Sequence, residues 1–261
     1  MAYKLLNLHI LQRYFIQLSY NGTAYSGWQV QKNSAHTIQQ IINEMLSRLL
    51  NEPTTVMGCG RTDTGVHARE YFAHFDSSVD LMNDQNYWIL KFNHALPKDI
   101  AIQKIVKVNE KANARYDAIS RTYQYIITKK KNPFEISKAC FLYGNLNVEA
   151  MNNAAKVLFE YSDFSSFAKS NTQNKTNICN LYKAEWKEEG DLLIFTITAN
   201  RFLRNMVRAI VGTLLDVGKG KLSIADLKKV IESKTRSNAG LSAHACGLYL
   251  TKVEYPEGYF S

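Results

Sequence analysis

A short glycine-rich run most constrains how this chain can fold. Residues 58–68 read GCGRTDTGVHA and follow strand-like sequence. The glycines at 58, 60 and 65 predict a backbone that turns with positive φ and closely approaches another surface. Arg61 and Asp63 are two positions apart in an extended segment, so we expect them on one face, where the cation keeps the carboxylate ionised. The residue types fit equally well a plain turn in which Asp63 bonds its own backbone.

The composition favours a nucleic-acid partner. The 261 residues carry a formal net charge of +9 and include 15 Tyr, 12 Phe and 3 Trp. Basic surface attracts phosphates, and aromatic rings stack on unpaired bases. Many basic proteins bind no nucleic acid, so charge alone does not decide the function. The length is sufficient for one large domain or two modest ones.

The cysteines and the N-terminal stretch bear on the class of protein. The cysteines at 59, 140, 179 and 246 form no Cys-x-x-Cys pair, which predicts neither a disulfide framework nor a zinc ribbon and favours a cytoplasmic protein. Cys59, His67 and His74 lack metal-site spacing, so we interpret them as structural. The apolar stretch 1–11 contains charged residues and no cleavage site, so we expect neither a signal peptide nor a membrane-spanning segment.

The apolar periodicity predicts two halves of similar order, each with strand, helix, strand, strand, helix and strand, although the second half has an additional helix. The first helix opens with a predicted capping box of Thr37 and Gln40. This order indicates an α+β fold with antiparallel sheets and helices on one face of each. The halves join near 109–114, which predicts domains over 1–112 and 113–261. The predicted strands cover 14–20, 54–57, 71–75, 100–108, 122–128, 182–186, 192–199 and 248–253, and the predicted helices 38–50, 83–94, 148–159, 202–215 and 224–231.

The helix predicted over 202–215 carries a row of cations. Its spacing places Arg201, Arg204 and Arg208 along one flank. Three cations on adjacent turns repel one another unless a phosphate or a carboxylate lies nearby, and the arginine fork suits either anion. A merely exposed basic flank is the alternative. On the strand over 122–128, Tyr123 and Tyr125 share a face, which by itself predicts sheet packing.

Several motifs resemble the tRNA pseudouridine synthase A family. The signature Gly-Arg-Thr-Asp-x-Gly-Val-His-x of that family fits residues 60–68 throughout. Other motifs are similar to the family's in order along nearly the whole chain. They are 20–29 (YNGTAYSGWQ), 113–118 (NARYDA), 121–125 (RTYQY), 163–167 (DFSSF), 202–208 (FLRNMVR) and 247–250 (GLYL).

The resemblance implies a fold and an activity. The implied fold has two ferredoxin-like halves whose antiparallel sheets join across a central active-site cleft. The implied activity is the isomerisation of uridine to pseudouridine in the anticodon stem-loop of tRNA, at positions 38, 39 and 40, by a homodimer whose basic surfaces hold the tRNA. The reaction adds and removes nothing overall, so we expect no cofactor and no metal.

The resemblance also assigns site residues. It makes Asp63 the essential carboxylate and Arg208 its partner, while Tyr123 stacks on the uracil and takes part in removing the proton at C5. Whether Asp63 attacks C1′, attacks C6 or abstracts a ribose proton is left open by the sequence. The further candidates for substrate contacts are Arg61, Thr62, His67, Arg115, Tyr125 and Phe202. Arg201 and Arg204 are candidate phosphate contacts that the family motif does not support.

Two places depart from the family pattern. Residues 176–179 (TNIC) lack the basic residue frequent after Thr-x-x, so one expected phosphate contact is either missing or replaced by Lys175. Residues 241–244 (LSAH) stand where Pro-Thr-Ala-Pro is frequent, which puts the shape of that loop in doubt. Neither departure touches Asp63 or Arg208.

Two other classes of function stay open at this point. A non-catalytic RNA-binding module explains the charge and the aromatic residues but not the Arg61-Thr62-Asp63 turn, and binding without turnover would support it. A metal-dependent RNA enzyme needs clustered ligands that the sequence does not provide, and inhibition by a chelator would support it.

Overall fold

The computed structural model describes residues 11–31, 36–169 and 175–260. This part of the chain forms a mixed α+β structure. The strands are β1 (Gln12–Tyr20), β2 (Met57–Gly58), β3 (His67–Ser77), β4 (Ile100–Val108), β5 (Ser120–Thr128), β6 (Cys140–Phe141), β7 (Leu181–Glu189), β8 (Leu192–Ala199) and β9 (Leu248–Glu254). The α-helices are α1 (Ile38–Leu50), α2 (Gln85–Ala95), α3 (Val148–Val157), α4 (Met206–Gly218) and α5 (Ile224–Glu232).

All nine strands belong to one continuous sheet. The order is β4-β1-β3-β9-β5-β8-β7, with β2 on β3 and β6 on β5. Strands of the first half occupy one end of the sheet, and strands of the second half occupy the other. They meet where β9 pairs in parallel with β3, through His67 opposite Tyr249 and Ala68 opposite Leu250. Except for this seam and the β5–β6 pair, the pairings are antiparallel.

Helix α1 begins as the sequence predicts, with one difference. The Thr37 hydroxyl accepts a hydrogen bond from the Gln40 main-chain N–H at 3.3 Å. The Gln40 side chain does not return the bond and donates instead to Glu44, one turn ahead, at 2.8 Å. Only half of the predicted capping box therefore forms. The helix ends at Leu50, and the next residue, Asn51, has a φ of 55°, the left-handed conformation that terminates many helices.

The strand predicted over 54–57 is shorter in the structure. The N–H of Thr54 donates to the Ser47 hydroxyl at 2.9 Å, and the N–H of Val56 donates to the Asn43 side chain at 2.9 Å. Both acceptors lie on α1. Because the helix takes these donors, the sheet receives only β2 from this segment.

Helix α4 begins four residues later than predicted, at Met206. The preceding Asn205 has a φ of 66°, a left-handed conformation that asparagine tolerates and that interrupts a right-handed helix. Arg201 and Arg204 therefore precede the helix, and only Arg208 is helical. The prediction that three arginines line one flank of a single helix is wrong.

The apolar residues form two cores, one for each half of the sheet. The end of the chain returns to the first core. The ring of Phe15 on β1 lies 5.8 Å from Tyr255, 5.7 Å from Tyr259 and 5.6 Å from Phe260. A boundary between residues 112 and 113 separates the two halves along the chain, but residues from both sides of it pack together in the first core. Among the described helices, none has the length and apolar character needed to cross a membrane.

Candidate active site

The loop that carries Asp63 lies between β2 and β3. Among its glycines only Gly65 has positive φ, at 77°. Gly58 is required for a different reason, because an added Cβ would lie 2.0 Å from the Tyr71 hydroxyl oxygen. Gly60 has neither property, although its carbonyl accepts a hydrogen bond from that hydroxyl at 2.5 Å. The prediction of positive φ at three glycines is therefore correct for one of them.

The motif at residues 20–29 supports this loop. The main-chain N–H of Trp28 donates to the Thr62 carbonyl at 3.1 Å, and the Thr62 hydroxyl shares a hydrogen bond with the Tyr20 hydroxyl at 2.8 Å. Gly27 has a φ of 87°, and a Cβ there would lie 2.6 Å from the Thr62 carbonyl oxygen. Only glycine therefore allows this approach without a shift in the loop that presents Asp63.

A cleft of about 1030 Å³ opens above the Asp63 loop. Both halves of the chain line it, and among the described residues its lining has five cations and one carboxylate, that of Asp63. Its volume is at the upper end of the range of about 300–1,000 Å³ for small-molecule sites. The lining residues are Ser26, Gln29, Val30, Gln31, Arg61, Thr62, Asp63, Thr64, Lys169, Arg204, Asn205, Arg208, Arg236 and Ser242.

Asp63 lies between two arginines of the second half. Its Oδ1 is 3.7 Å from Nε of Arg204, and its Oδ2 is 3.6 Å from Nη1 of Arg208. The pairing with Arg208 confirms the prediction, whereas in the described residues Arg61 forms no ion pair with Asp63. The two arginines differ in how exposed and how firmly held they are. Arg208 is 22% exposed and donates from Nε to the Ala243 carbonyl at 2.7 Å. Arg204 is 49% exposed.

Cationic side chains lie close to Arg61, one of the residues that line the cleft. The pKa of Arg61 is lowered, first by partial burial and then by the neighbouring cations Arg115 and Arg204. The Arg115 guanidinium lies 5.7 Å from the centre of the exposed Tyr116 ring. Arg115 itself is not part of the cleft lining. Cations held together without matching carboxylates favour the binding of an anion.

Tyr123 and Phe202 pack together beside the cleft. Their ring centres are 5.2 Å apart and their planes are perpendicular. Neither ring belongs to the described cleft lining. Burial raises the pKa of the Tyr123 hydroxyl, and the nearby groups Cys59 and Asp63 raise it further, although Arg121 opposes them. The hydroxyl is therefore neutral near pH 7 and carries its proton.

Three predicted contact residues point their polar atoms elsewhere. His67 is buried, accepts at Nδ1 from the Gly22 N–H at 3.1 Å and therefore donates from Nε2 to the Cys246 carbonyl, also at 3.1 Å. Tyr125 is fully buried and donates to the His244 carbonyl at 2.9 Å. Arg201 donates to the Thr176 carbonyl at 3.3 Å. Each of these side chains holds segments of the protein together and lies outside the cleft lining.

The structure adds cleft residues that the sequence did not reveal. Asn205 and Arg236 both donate to the Ser242 hydroxyl at 2.7 Å, so the 241–244 loop is fixed at the cleft wall. Asn205 stands in the 202–208 motif, and Ser242 stands in the 241–244 segment that departs from the family pattern. Lys169 and Arg236 had no distinguishing signal, because isolated cations in loops are common.

The candidate metal ligands of the sequence are separate in the structure. Cys59 is buried, and the His74 Nδ1 accepts a hydrogen bond from the Ala114 N–H at 3.1 Å. In the ranges that the structure describes, no three His, Cys, Asp or Glu side chains are grouped closely enough to hold a metal ion.

Comparisons with known proteins agree with the motifs. The profile of a family described as tRNA pseudouridine synthase matches residues 154–256. The chain is 52% identical to tRNA pseudouridine synthase A of Parabacteroides distasonis, over 96% of this chain and 98% of the relative. It is 49% identical to the protein of the same name from Bacteroides fragilis, over 96% and 99%. It is also 38% identical to that of Francisella tularensis, over 96% of both chains.

Proposed function

The chain belongs to the tRNA pseudouridine synthase A family, and from this premise we propose that it isomerises uridine to pseudouridine in tRNA. We place the target in the anticodon stem-loop, at positions 38, 39 and 40, with Asp63 as the essential carboxylate. The observation that carries the proposal is the Asp63 carboxylate between Arg204 and Arg208, in a cleft whose other charged lining residues are cationic.

The isomerisation requires one anionic group, which a single carboxylate can supply. The bond from N1 of the base to C1′ breaks, the detached uracil turns, and C5 bonds to the same C1′ while its proton is lost and N1 gains one. The atoms balance without a redox group. The enzyme must supply an anionic group at the sugar or base and retain the detached uracil. Asp63, which is 22% exposed and lies between Arg204 and Arg208, supplies the anion.

Three roles of Asp63 fit this position: attack on C1′, attack on C6, or removal of a ribose proton. In each of them the two arginines attract the carboxylate, since opposite charges less than 4 Å apart interact favourably. They also orient it, because each carboxylate oxygen has its own arginine. Arg208 is the fixed partner through its bond to the Ala243 carbonyl.

Because the Tyr123 hydroxyl is neutral, it limits the routes by which the proton can leave C5. A protonated phenol is a weak base, so Tyr123 accepts that proton only while passing its own to a second acceptor. Asp63 is near enough to raise the pKa of Tyr123 and is the acceptor that we assign. The Tyr123 ring, fixed edge-on by Phe202, is the surface on which we place the uracil.

Access to a uridine in a stem requires that it leave the helix, which costs roughly a few kcal/mol. The cations that surround the cleft offset this cost by binding the flanking phosphates. Arg61, Arg115 and Arg236 are the residues to which we assign these contacts, together with Arg204 once the RNA is bound. Thr62 holds the loop through Tyr20 and lines the cleft floor.

The strand order within each half also supports a description of the whole fold. In each half the strand order is that of a ferredoxin-like unit, β4-β1-β3 with β2 in the first and β9-β5-β8-β7 in the second. We therefore describe the chain as two ferredoxin-like halves, 1–112 and 113–261, joined at the β3–β9 seam with the cleft between them. The family resemblance further supports a homodimer located in the cytoplasm. Sedimentation of the purified protein tests whether it is a dimer.

Tritium release tests the activity directly. Unmodified tRNA carrying tritium at C5 of uridine releases it to water only when C5 forms the new bond. We expect release with the wild-type protein and none with Asp63→Asn, which keeps the shape of the side chain without its charge. We expect mapping of the product to find pseudouridine at positions 38, 39 and 40.

Asp76→Asn is the matched control, because Asp76 is also an arginine-paired aspartate, bound to Arg13 at 2.7 Å, and lies outside the cleft lining. We expect that variant to retain activity. Near-normal turnover by Asp63→Asn would refute the role of Asp63, and tRNA binding without release by the wild type would identify a binding protein instead.

A further inference from the structure

Arg121, the second residue of β5, joins four separate points of the main chain. Its Nη1 donates to the carbonyls of Ala118 at 2.7 Å and Asn200 at 2.9 Å. Its Nη2 donates to the carbonyls of Cys59 at 3.0 Å and Arg115 at 2.6 Å. In the described ranges Arg121 has no carboxylate within ion-pair distance, so main-chain oxygens are its partners. A single guanidinium therefore connects the first half, at Cys59, to three points of the second half.

Two of these carbonyls begin the segments that form the site. Cys59 stands four residues before Asp63, and Asn200 stands four residues before Arg204. Each segment is also anchored in its own half. The Cys59 N–H donates to the Phe72 carbonyl at 2.8 Å, and the Asn200 N–H donates to the Asn180 carbonyl at 3.1 Å. Arg121 is the side chain that connects one anchored segment to the other.

The site geometry depends on the separation of these two segments. The ion pairs from Asp63 to Arg204 and Arg208 measure 3.7 and 3.6 Å, longer than hydrogen-bonded pairs of about 2.7–2.9 Å. A relative shift of about 1 Å either breaks them or closes them into tight contact, and a misplacement of this size can cost about a hundredfold in rate. Downstream of Asp63, the bond of His67 to the Cys246 carbonyl holds the other end of the loop to the second half.

We propose that Arg121 is a positioning residue, which sets the distance between the carboxylate of Asp63 and its two arginines by tying the Cys59 and Asn200 carbonyls to one guanidinium. The proposal rests on the proposed function of the site. Arg121 does not line the described cleft, and it acts through the two segments rather than on the RNA.

Lysine cannot replace arginine in this role. The guanidinium is a planar fork with five N–H donors, whereas the ammonium of lysine donates from a single atom. Arg121→Lys therefore keeps the charge near Tyr123 but loses the fork. This separates positioning from the other effect of Arg121, which is that its charge lowers the pKa of the Tyr123 hydroxyl.

The experiment compares Arg121→Lys and Arg121→Ala with the wild type by tritium release and by tRNA binding. We expect kcat to fall about a hundredfold in both variants, while KM and the Kd for tRNA stay within about threefold. Added guanidinium chloride at low millimolar concentration is expected to restore part of kcat to Arg121→Ala, and methylammonium chloride is not. If Arg121→Ala has no thermal unfolding transition, Arg121→Lys and its kcat-against-KM split decide the test.

Arg13→Ala is the matched control. Arg13 also joins separate segments, through Asp76 and the Ala112 carbonyl, but far along β1 from the cleft. We expect a lower Tm, an unchanged kcat and no rescue by guanidinium. A wild-type kcat in Arg121→Lys overturns the proposal, as does a loss in Arg121→Ala that methylammonium rescues equally well. A wild-type protein that releases no tritium refutes the proposed function first, and the inference with it.

Discussion

At the scale of single residues, the site is defined by the difference between the two arginines beside Asp63. Arg208 is held on α4 and tied to the Ala243 carbonyl, so its guanidinium has a fixed direction. Arg204 stands before the helix and is half exposed. A fixed cation stabilises charge throughout a reaction, whereas an exposed cation is free to reach a phosphate. The two arginines are therefore expected to contribute to different kinetic constants.

Substitution of each arginine by methionine separates these contributions. We expect Arg208→Met to lower kcat by about a hundredfold or more, in the range found when one preorganised electrostatic group is removed. We expect Arg204→Met to raise KM and to reduce the salt dependence of tRNA binding by about one phosphate contact. Steady-state kinetics at several salt concentrations measure both. Identical effects of the two substitutions would contradict the distinction.

At the scale of elements, a buried histidine links β3 to the segment that connects β4 and β5. His74 accepts from the Ala114 N–H and stacks on Phe15 at 5.6 Å. Burial, assisted by the charge of Arg13, lowers its pKa from 6.5 to about 4. The unfolded chain therefore binds a proton between pH 6.5 and about 4 that the folded protein excludes. The resulting stability is complete above pH 6.5 and is lost as the pH falls through this window.

The variant His74→Asn tests this linkage, because the Asn oxygen still accepts from Ala114 but does not titrate. We expect the wild type to lose up to about 3 kcal/mol more stability than the variant between pH 7 and 4. Urea unfolding at a series of pH values measures the difference. His94→Asn, at the exposed end of α2, is the control and should retain the wild-type slope. Equal slopes for all three proteins would show that His74 titrates normally.

At the scale of the whole molecule, the two halves share structure at the centre of the sheet. The seam between β3 and β9 contains two residue pairs, and the Glu70 carboxylate extends it by accepting from the Val253 N–H at 2.8 Å. Phe15, 1% exposed, is covered by aromatic rings from the end of the chain. The first core is therefore completed by residues that belong to the second half in chain order.

This sharing predicts how the fragments behave. Expressed alone, residues 1–112 would expose Phe15 and the edge of β3, so we expect no cooperative thermal transition from that fragment. The full chain is expected to unfold in one transition. Calorimetry of both proteins measures these unfolding transitions. A fragment that unfolds cooperatively would mean that the first half folds by itself.

The sequence by itself determined those features that depend on local spacing. The apolar periodicity of 38–50 predicted α1 with its Thr37 cap, the strand-like sequences of 100–108 and 192–199 predicted β4 and β8, and the motif around Asp63 identified the loop and the family. These signals are local because helix faces, strand faces and tight turns are set by residues only a few positions apart.

Only the tertiary structure decided which distant groups meet. The left-handed Asn205 ended the helix early, which turned Arg204 from a member of a basic flank into a partner of Asp63. Arg61, two positions from Asp63, forms no ion pair with it in the described part of the chain, while His67 turned inward to Cys246. Ion pairs and hydrogen bonds depend on distances of a few ångströms, and for residues far apart in the chain the packing of the whole sheet sets those distances.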